Sequence, residues 1–181
     1  MNLDNALQIE GWMTETELQF LAIEASKHDN IVEIGSWQGR STRALIDNAR
    51  GQVTAVDTFC GSLKHPTWEK HLLSTKPENW LRGEFDKNMA GANNLRVMAM
   101  ESLVAAEQLK DERFDMIFID DDHETEECYA GILAWSRMLT EGGLICGHDY
   151  GAPEVELAVA RAFSEVAKVL GADIWVGVQK R

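Results

Sequence analysis

Two rhythms of apolar and polar residues alternate along this chain and predict its architecture. Thr14-Glu15-Thr16-Glu17 has the spacing of a capping box, with Thr as N-cap and Glu three residues on. Leu18, Leu21, Ala22 and Ala25 follow at helical spacing, predicting a helix over Glu15–Lys27. The apolar run Ile31–Gly35 then reads as a strand, Ser41–Ala49 as a helix stopped near Gly51, and Gln52–Asp57 as a second strand. Leu95–Met98 is a third strand and Ser102–Leu109 a short helix. Phe114–Asp120 is almost unbroken in apolar character, as a strand buried on both sheet faces requires. Thr125–Leu139 reads as a helix with Tyr129, Ile132, Leu133, Trp135 and Leu139 turned inward, and Gly142-Gly143 leads into strand Leu144–Gly147. Glu154–Glu165 is an amphipathic helix; Val166–Leu170 and Asp173–Gln179, divided by Gly171-Ala172, close the chain as an antiparallel pair.

Strands alternating with helices predict an α/β fold with a parallel sheet covered on both faces. The strand ending at Gly35 is expected at its centre, where the topology switches direction. Residues 59–94 break the rhythm. They carry Pro66, Pro77, His65, His71, Trp68 and Trp80, with helix expected near Trp68–Leu73 and Glu78–Asn88. The stretch is longer than a plain crossover needs.

Composition narrows the class. At 181 residues the chain suits a single domain, and 45% hydrophobic with 26% charged residues suits an ordinary globule. A net charge of −13 repels phosphate backbones, so nucleic acid is not an expected partner. Cys60, Cys128 and Cys146 are scattered and odd in number, which fits a reducing cytoplasm without a disulfide framework. The N-terminus lacks a basic region followed by an apolar run, and no stretch approaches the roughly 20 apolar residues of a membrane span. The expected location is therefore cytoplasmic, with no membrane partner.

In an open α/β sheet, ligands bind outside the carboxyl ends of the strands. Those ends here carry Glu33 and Gly35, Asp57, Glu101-Ser102, Asp120-Asp121-Asp122-His123, and His148-Asp149. Gly35 and Gly39 let a backbone turn approach a ligand, and Asp57, 22 residues after Gly35, is placed for ribose hydroxyls. The turn lacks the third glycine of a pyrophosphate-binding loop, favouring a nucleoside cofactor without a pyrophosphate over NAD or FAD. Glu33, inside a buried strand, binds a cationic ligand group or braces nearby helix amides; Trp37 shields the cofactor or packs the turn. Asp115 lies at the wrong edge of the sheet and is structural. The acidic–histidine cluster has two readings. Asp120 and Asp149 suit a divalent cation such as Mg²⁺, Mn²⁺ or Ca²⁺. Alternatively His123 or His148 acts as general base, oriented by an aspartate. In a purely structural reading Asp122 caps the helix that follows and His148 sits in a polar network.

Val32–Gly35, Gly39–Thr42, Ile119–His123 and Gly142–Tyr150 resemble the motifs of the class I S-adenosylmethionine-dependent methyltransferases. The resemblance is to the small-molecule branch that includes methyltransferase family 24 and macrocin O-methyltransferase-like enzymes, and it covers the chain from about Gly11 to Lys180. It implies a Rossmann-like, doubly wound, seven-stranded sheet whose last strand is antiparallel, preceded by an N-terminal helical segment over residues 1–30. It also implies that Glu33, Gly35 and Ser36 surround the methionine part of S-adenosylmethionine, with Asp57 on the ribose and Glu101 and Ser102 near the adenine. Trp37, Gly39, Ser41 and Asp120 are the further cofactor-binding candidates. Some relatives bind a divalent metal through carboxylates matching Asp120 and Asp149. The catalytic candidates are His148, His123 and Asp149, and residues 59–94 become an acceptor lid. The expected reaction is O-methylation of a small-molecule hydroxyl, on a sugar or secondary metabolite, by a monomer or homodimer. The alternatives are an NAD-dependent oxidoreductase and a module of this fold that holds its cofactor without catalysis.

Overall fold

The computed structural model describes residues 1–61 and 72–178. A short 3-10 turn, Ala6–Gln8, precedes helix α1 (Glu15–Ala25) and strand β1 (Asn30–Ile34). Then follow α2 (Arg40–Ile46), β2 (Gln52–Asp57), α3 (Trp80–Asn88), β3 (Leu95–Ala99), α4 (Ser102–Gln108) and β4 (Phe114–Ile119). The chain continues through α5 (Thr125–Ser136), β5 (Leu139–Gly147), α6 (Pro153–Ala162), β6 (Glu165–Lys168) and β7 (Trp175–Val178). These strands form one seven-stranded sheet of order β3-β2-β1-β4-β5-β7-β6. β1 pairs in parallel with both β2 and β4, so the direction of winding reverses at the centre, as expected. β7 inserts antiparallel between β5 and β6.

Side-chain alternation along the strands builds a core on each face. Ile31, Val53, Met116 and Phe118 pack with Leu18 and Leu21 of α1, Leu45 of α2 and Phe85 of α3. Val32, Ile34, Ile117 and Ile145 face the other way, onto Ala105 of α4, Trp135 of α5 and Val159 of α6. Arg40 locks the N-terminal segment onto α2. Its guanidinium donates to the carbonyls of Met13 at 2.9 Å and Ile9 at 2.5 Å, with longer contacts to Ala6 and Leu7. Asp115 is structural: its carboxylate accepts the amides of Asp29 and Asn30.

Several boundaries differ from the sequence expectation. α1 stops at Ala25 rather than Lys27, where the Ser26 hydroxyl turns back to the Ile23 carbonyl. α5 stops at Ser136, because Leu139 already pairs with Phe114 and belongs to β5. The chain then shifts register before Met116 pairs with Leu144, with Gly142 at φ +76° inside the strand's span. Leu133, expected inward, is exposed, while Ile132 and Trp135 fill the core. α6 ends at Ala162 because Phe163 is extended, its ring stacking on Trp175 and filling the space above Gly177. The expected helix near Trp68–Leu73 falls mostly outside the described residues, as do His65, His71 and Gln179. Of the three free cysteines, Cys128 and Cys146 are buried and Cys60 is exposed. No helix among the described residues is long and apolar enough to cross a membrane.

Candidate functional site

A cavity of about 900 Å³ opens at the carboxyl ends of β1, β2, β4 and β5. Its walls include Gly35, Ser36, Trp37, Ser41, Asp57, Glu101, Ser102, Asp120, His123, His148 and Asp149. The predicted strand ends therefore meet in one place. Glu33 and Gly39 do not line it; both stand behind the glycine turn.

Glu33 lies on the face of β1 that α2 covers, and it is completely buried. Its Oε2 accepts the hydroxyls of Ser36, at 2.8 Å, and Thr42, while Oε1 has no hydrogen-bond partner. Burial pushes the carboxyl up to about 7, against the opposing influence of the Ser41, Thr42 and Ser36 hydroxyls. Glu33 thus braces the turn from below. Gly39, at φ +90°, starts α2, and a side chain there would strike Met89 and Phe85. Asp57 pins the turn from the side. Its Oδ2 accepts the amides of Ser36 and Trp37, each at 2.8 Å, and Oδ1 accepts that of Phe59 at 2.6 Å. Burial nevertheless pushes its carboxyl pKa above the ordinary value. Trp37, at φ +49°, stacks at 5.3 Å on Trp12, and both indoles face the cavity.

Charge is concentrated at β4 and β5. His123 Nε2 and Asp149 Oδ2 are 2.5 Å apart, and His148 Nδ1 lies 3.3 Å from Asp149 Oδ1 and 3.7 Å from Asp120 Oδ1. His148 Nε2 lies 3.4 Å from Glu17 Oε1, an ion-pair distance without hydrogen-bond alignment. Burial works against a proton on His148, but Asp149, Asp120 and Glu17 outweigh it and lift the imidazole to about 9. His123 is also raised, first by its bond to Asp149. Burial would raise Asp149, yet the two histidines hold it well below the usual carboxylate range. Asp120 shifts upward, because desolvation and Asp149 outweigh the histidines. At neutral pH, then, an imidazolium at His148 faces a charged Asp149. Asp149 takes φ +56°, in the left-handed region, and its carboxylate lies between the two rings. One atom each from Asp120, His123 and Asp149 could ligate a metal, all within 4.8 Å of one another.

The third wall is less charged. Ser102 Oγ accepts the indole N–H of Trp135 at 3.0 Å, which fixes the start of α4 beside Glu101. Asp122 accepts the Glu124 amide at 2.9 Å, shaping the loop before α5 rather than capping its first turn. Trp80 packs against the core beneath Lys76 and is not a cavity residue; Trp68 lies outside the described residues. Sequence reasoning missed the N-terminal wall of Gly11, Trp12 and Met13, and also Glu17.

A family model described as a methyltransferase domain matches residues 32–150. No curated protein matches the sequence. Among solved structures, the O-methyltransferase from Bacillus cereus in complex with SAH superposes with a TM-score of 0.67 at 20% identity, covering 98% of this chain and 90% of that one. The SAH-bound Podospora anserina methyltransferase PaMTH1 does so with a TM-score of 0.65 at 15% identity, covering 99% and 86%. CalS11, a TDP-rhamnose 3'-O-methyltransferase of calicheamicin biosynthesis, gives 0.62 at 13% identity, covering 91% and 77%.

Proposed function

Because the chain belongs to the methyltransferase-domain family, matched over residues 32–150, we propose that it uses S-adenosylmethionine to methylate a hydroxyl of a small molecule. The observation that carries this reading is the convergence of the glycine turn, Asp57, Ser102 and the Asp149–histidine group on one cavity at the β1/β4 switch point. Solved relatives bound to SAH, and one that methylates a sugar hydroxyl, support the cofactor and the reaction.

The residues present fit this cofactor. The cavity is at the upper end of the roughly 300–1,000 Å³ usual for small-molecule sites, room for a nucleoside and an acceptor. Asp57 Oδ1 receives only one amide, so it keeps a lone pair for a ribose hydroxyl. Glu33 and Gly39 serve the cofactor indirectly, through the turn they shape.

S-adenosylmethionine, when bound, supplies an electrophilic methyl on a sulfonium. The protein's share is to align the acceptor oxygen and take its proton. With Asp149 holding His123 at Nε2, Nδ1 is the nitrogen free to accept. With the methyl donor bound, transfer to the acceptor oxygen would release the hydroxyl proton, and His123 Nδ1 would take it. His148, already protonated at neutral pH, organises Asp120 and Asp149 instead.

Asp120, His123 and Asp149 also fit a divalent cation, with two hard carboxylates and an imidazole. Such an ion would bring Lewis acidity to the acceptor hydroxyl and would compete with the proton shared by His123 and Asp149. Chelation followed by add-back of Mg²⁺, Mn²⁺ or Ca²⁺ tests it: full activity after chelation rules out a required metal.

The primary test is calorimetry with S-adenosylmethionine, S-adenosylhomocysteine and NAD, followed by a screen of acceptors with labelled methyl donor. Binding of either sulfur ligand and transfer to a hydroxyl compound are expected; NAD binding without either would overturn the reading. His123→Ala should lower kcat by about 10²–10⁴-fold, the usual worth of a general base. Residues 59–94 serve in this reading as the acceptor lid, and the free thiols support a cytoplasmic setting. Light scattering distinguishes monomer from homodimer.

A further inference from the structure

Glu17 takes no part in the roles assigned above, yet it is among the most completely buried charged residues, at 4% exposure. As the third residue of the capping box it closes the first turn of α1. Its Oε2 accepts the Thr14 amide at 2.7 Å and the Thr14 hydroxyl at 2.8 Å. A cap needs only that oxygen and works equally well at the surface. Oε1 does something else: it accepts the Asp173 amide at 2.7 Å and lies 3.4 Å from His148 Nε2. Burying a carboxylate is costly without partners, and the helix cap alone does not account for this one.

The contact completes a continuous line of side chains. Glu17 meets His148 at Nε2; Asp149 and Asp120 meet the same ring at Nδ1; Asp149 holds His123 at the cavity rim. An imidazole flanked by a carboxylate at each nitrogen cannot rotate about its side-chain bonds without lengthening one of these ion pairs.

We infer that Glu17 is a positioning residue for methyl transfer, fixing the His148 ring and, through it, the placement of Asp149 and His123. The inference rests on the reading of His123 as proton acceptor. It makes the first turn of α1, far from the strand ends in sequence, part of the geometry of the reaction.

Two variants separate this role from simple capping. Thr14→Ala removes the cap hydroxyl and leaves the Glu17 carboxylate, whereas Glu17→Gln keeps the shape and removes the charge facing His148. Both should lower the melting temperature. Only Glu17→Gln should lower kcat, by about tenfold, as loss of a supporting partner typically does. Its affinity for S-adenosylhomocysteine and its acceptor KM should stay unchanged. In a His148→Asn background, Glu17→Gln should cost no further kcat, the signature of two residues acting as one unit. Histidine-ring ¹⁵N spectra of the protein alone should show the His148 resonances displaced in Glu17→Gln and unmoved in Thr14→Ala. Unchanged kcat and ring resonances in Glu17→Gln, an equal kcat loss in Thr14→Ala, or additive losses in the double variant would each overturn the inference. If the wild-type protein binds no sulfur ligand, the methyl-transfer reading fails, while the ring resonances still decide whether Glu17 orients His148.

Discussion

A methyl group added at Gly35 would collide with the Asp120 carbonyl, because β1 and β4 run side by side up to the turn where φ reaches +85°. Space and backbone conformation both exclude a side chain, so Gly35→Ala should cost more than about 2 kcal/mol in chemical denaturation, a large loss for one methyl. A loss below about 0.5 kcal/mol would show that the turn can relax. The buried titratable groups make the same site sensitive to pH. His148 binds its proton more tightly folded, at about 9, than unfolded, at 6.5. Its contribution is complete below pH 6.5 and is lost as pH rises through about 9. Glu33 acts in the same direction at lower pH, with a folded value of about 7 against 4.5. Denaturation midpoints should therefore fall across this window, and His148→Asn should flatten the upper part of the fall. A slope equal to the wild type's would place the pH dependence elsewhere.

At the scale of elements, Arg40 carries the N-terminal wall. It ties the carbonyls of Ala6, Leu7, Ile9 and Met13 to the start of α2, holding Trp12 at the cavity mouth. Arg40→Leu leaves those carbonyls unpaired. It should lower stability by about 1–3 kcal/mol and open a protease site between residues 6 and 13. Unchanged digestion would mean that hydrophobic packing alone holds the wall. This clamp was not legible in the sequence, since its partners are backbone atoms some thirty positions away, as 31 separates Arg40 from Ile9. Legible elements had local causes. The capping box at Thr14 placed the start of α1, and the apolar run from Phe114 marked a strand covered on both faces. β5 was misjudged because the Gly142-Gly143 pair looks like a turn. In the sheet, Leu139 pairs with Phe114 before that pair and Leu144 with Met116 after it, so the strand spans the irregularity.

For the whole molecule, parallel topology made most of the site readable, because it forces every strand's carboxyl end onto one rim. Asp57, Ser102, Asp120 and Asp149 could be assembled from strand order alone. Trp12 and Glu17 could not, since their place depends on how α1 docks against the sheet. With a net charge of −13, the molecule as a whole favours a cationic cofactor over an anionic one. Ligand linkage gives a direct readout. S-adenosylhomocysteine at a hundred times its Kd should add about 2.7 kcal/mol, which at about 2–4 °C per kcal/mol for a chain this size is a rise of several degrees. NAD at the same concentration should leave the melting temperature unmoved; the reverse pattern would reverse the assignment of the cavity.

The unequal burial of the three thiols has a practical corollary. Burial pushes Cys128 up to about 12 and drives Cys146 higher still, so neither offers a thiolate to an alkylating dye at neutral pH. Cys60 is exposed, one residue from Phe59 in the core and one from Gly61 on the cavity wall. The unmodified chain therefore brings its own attachment point for a fluorophore, beside the cavity wall.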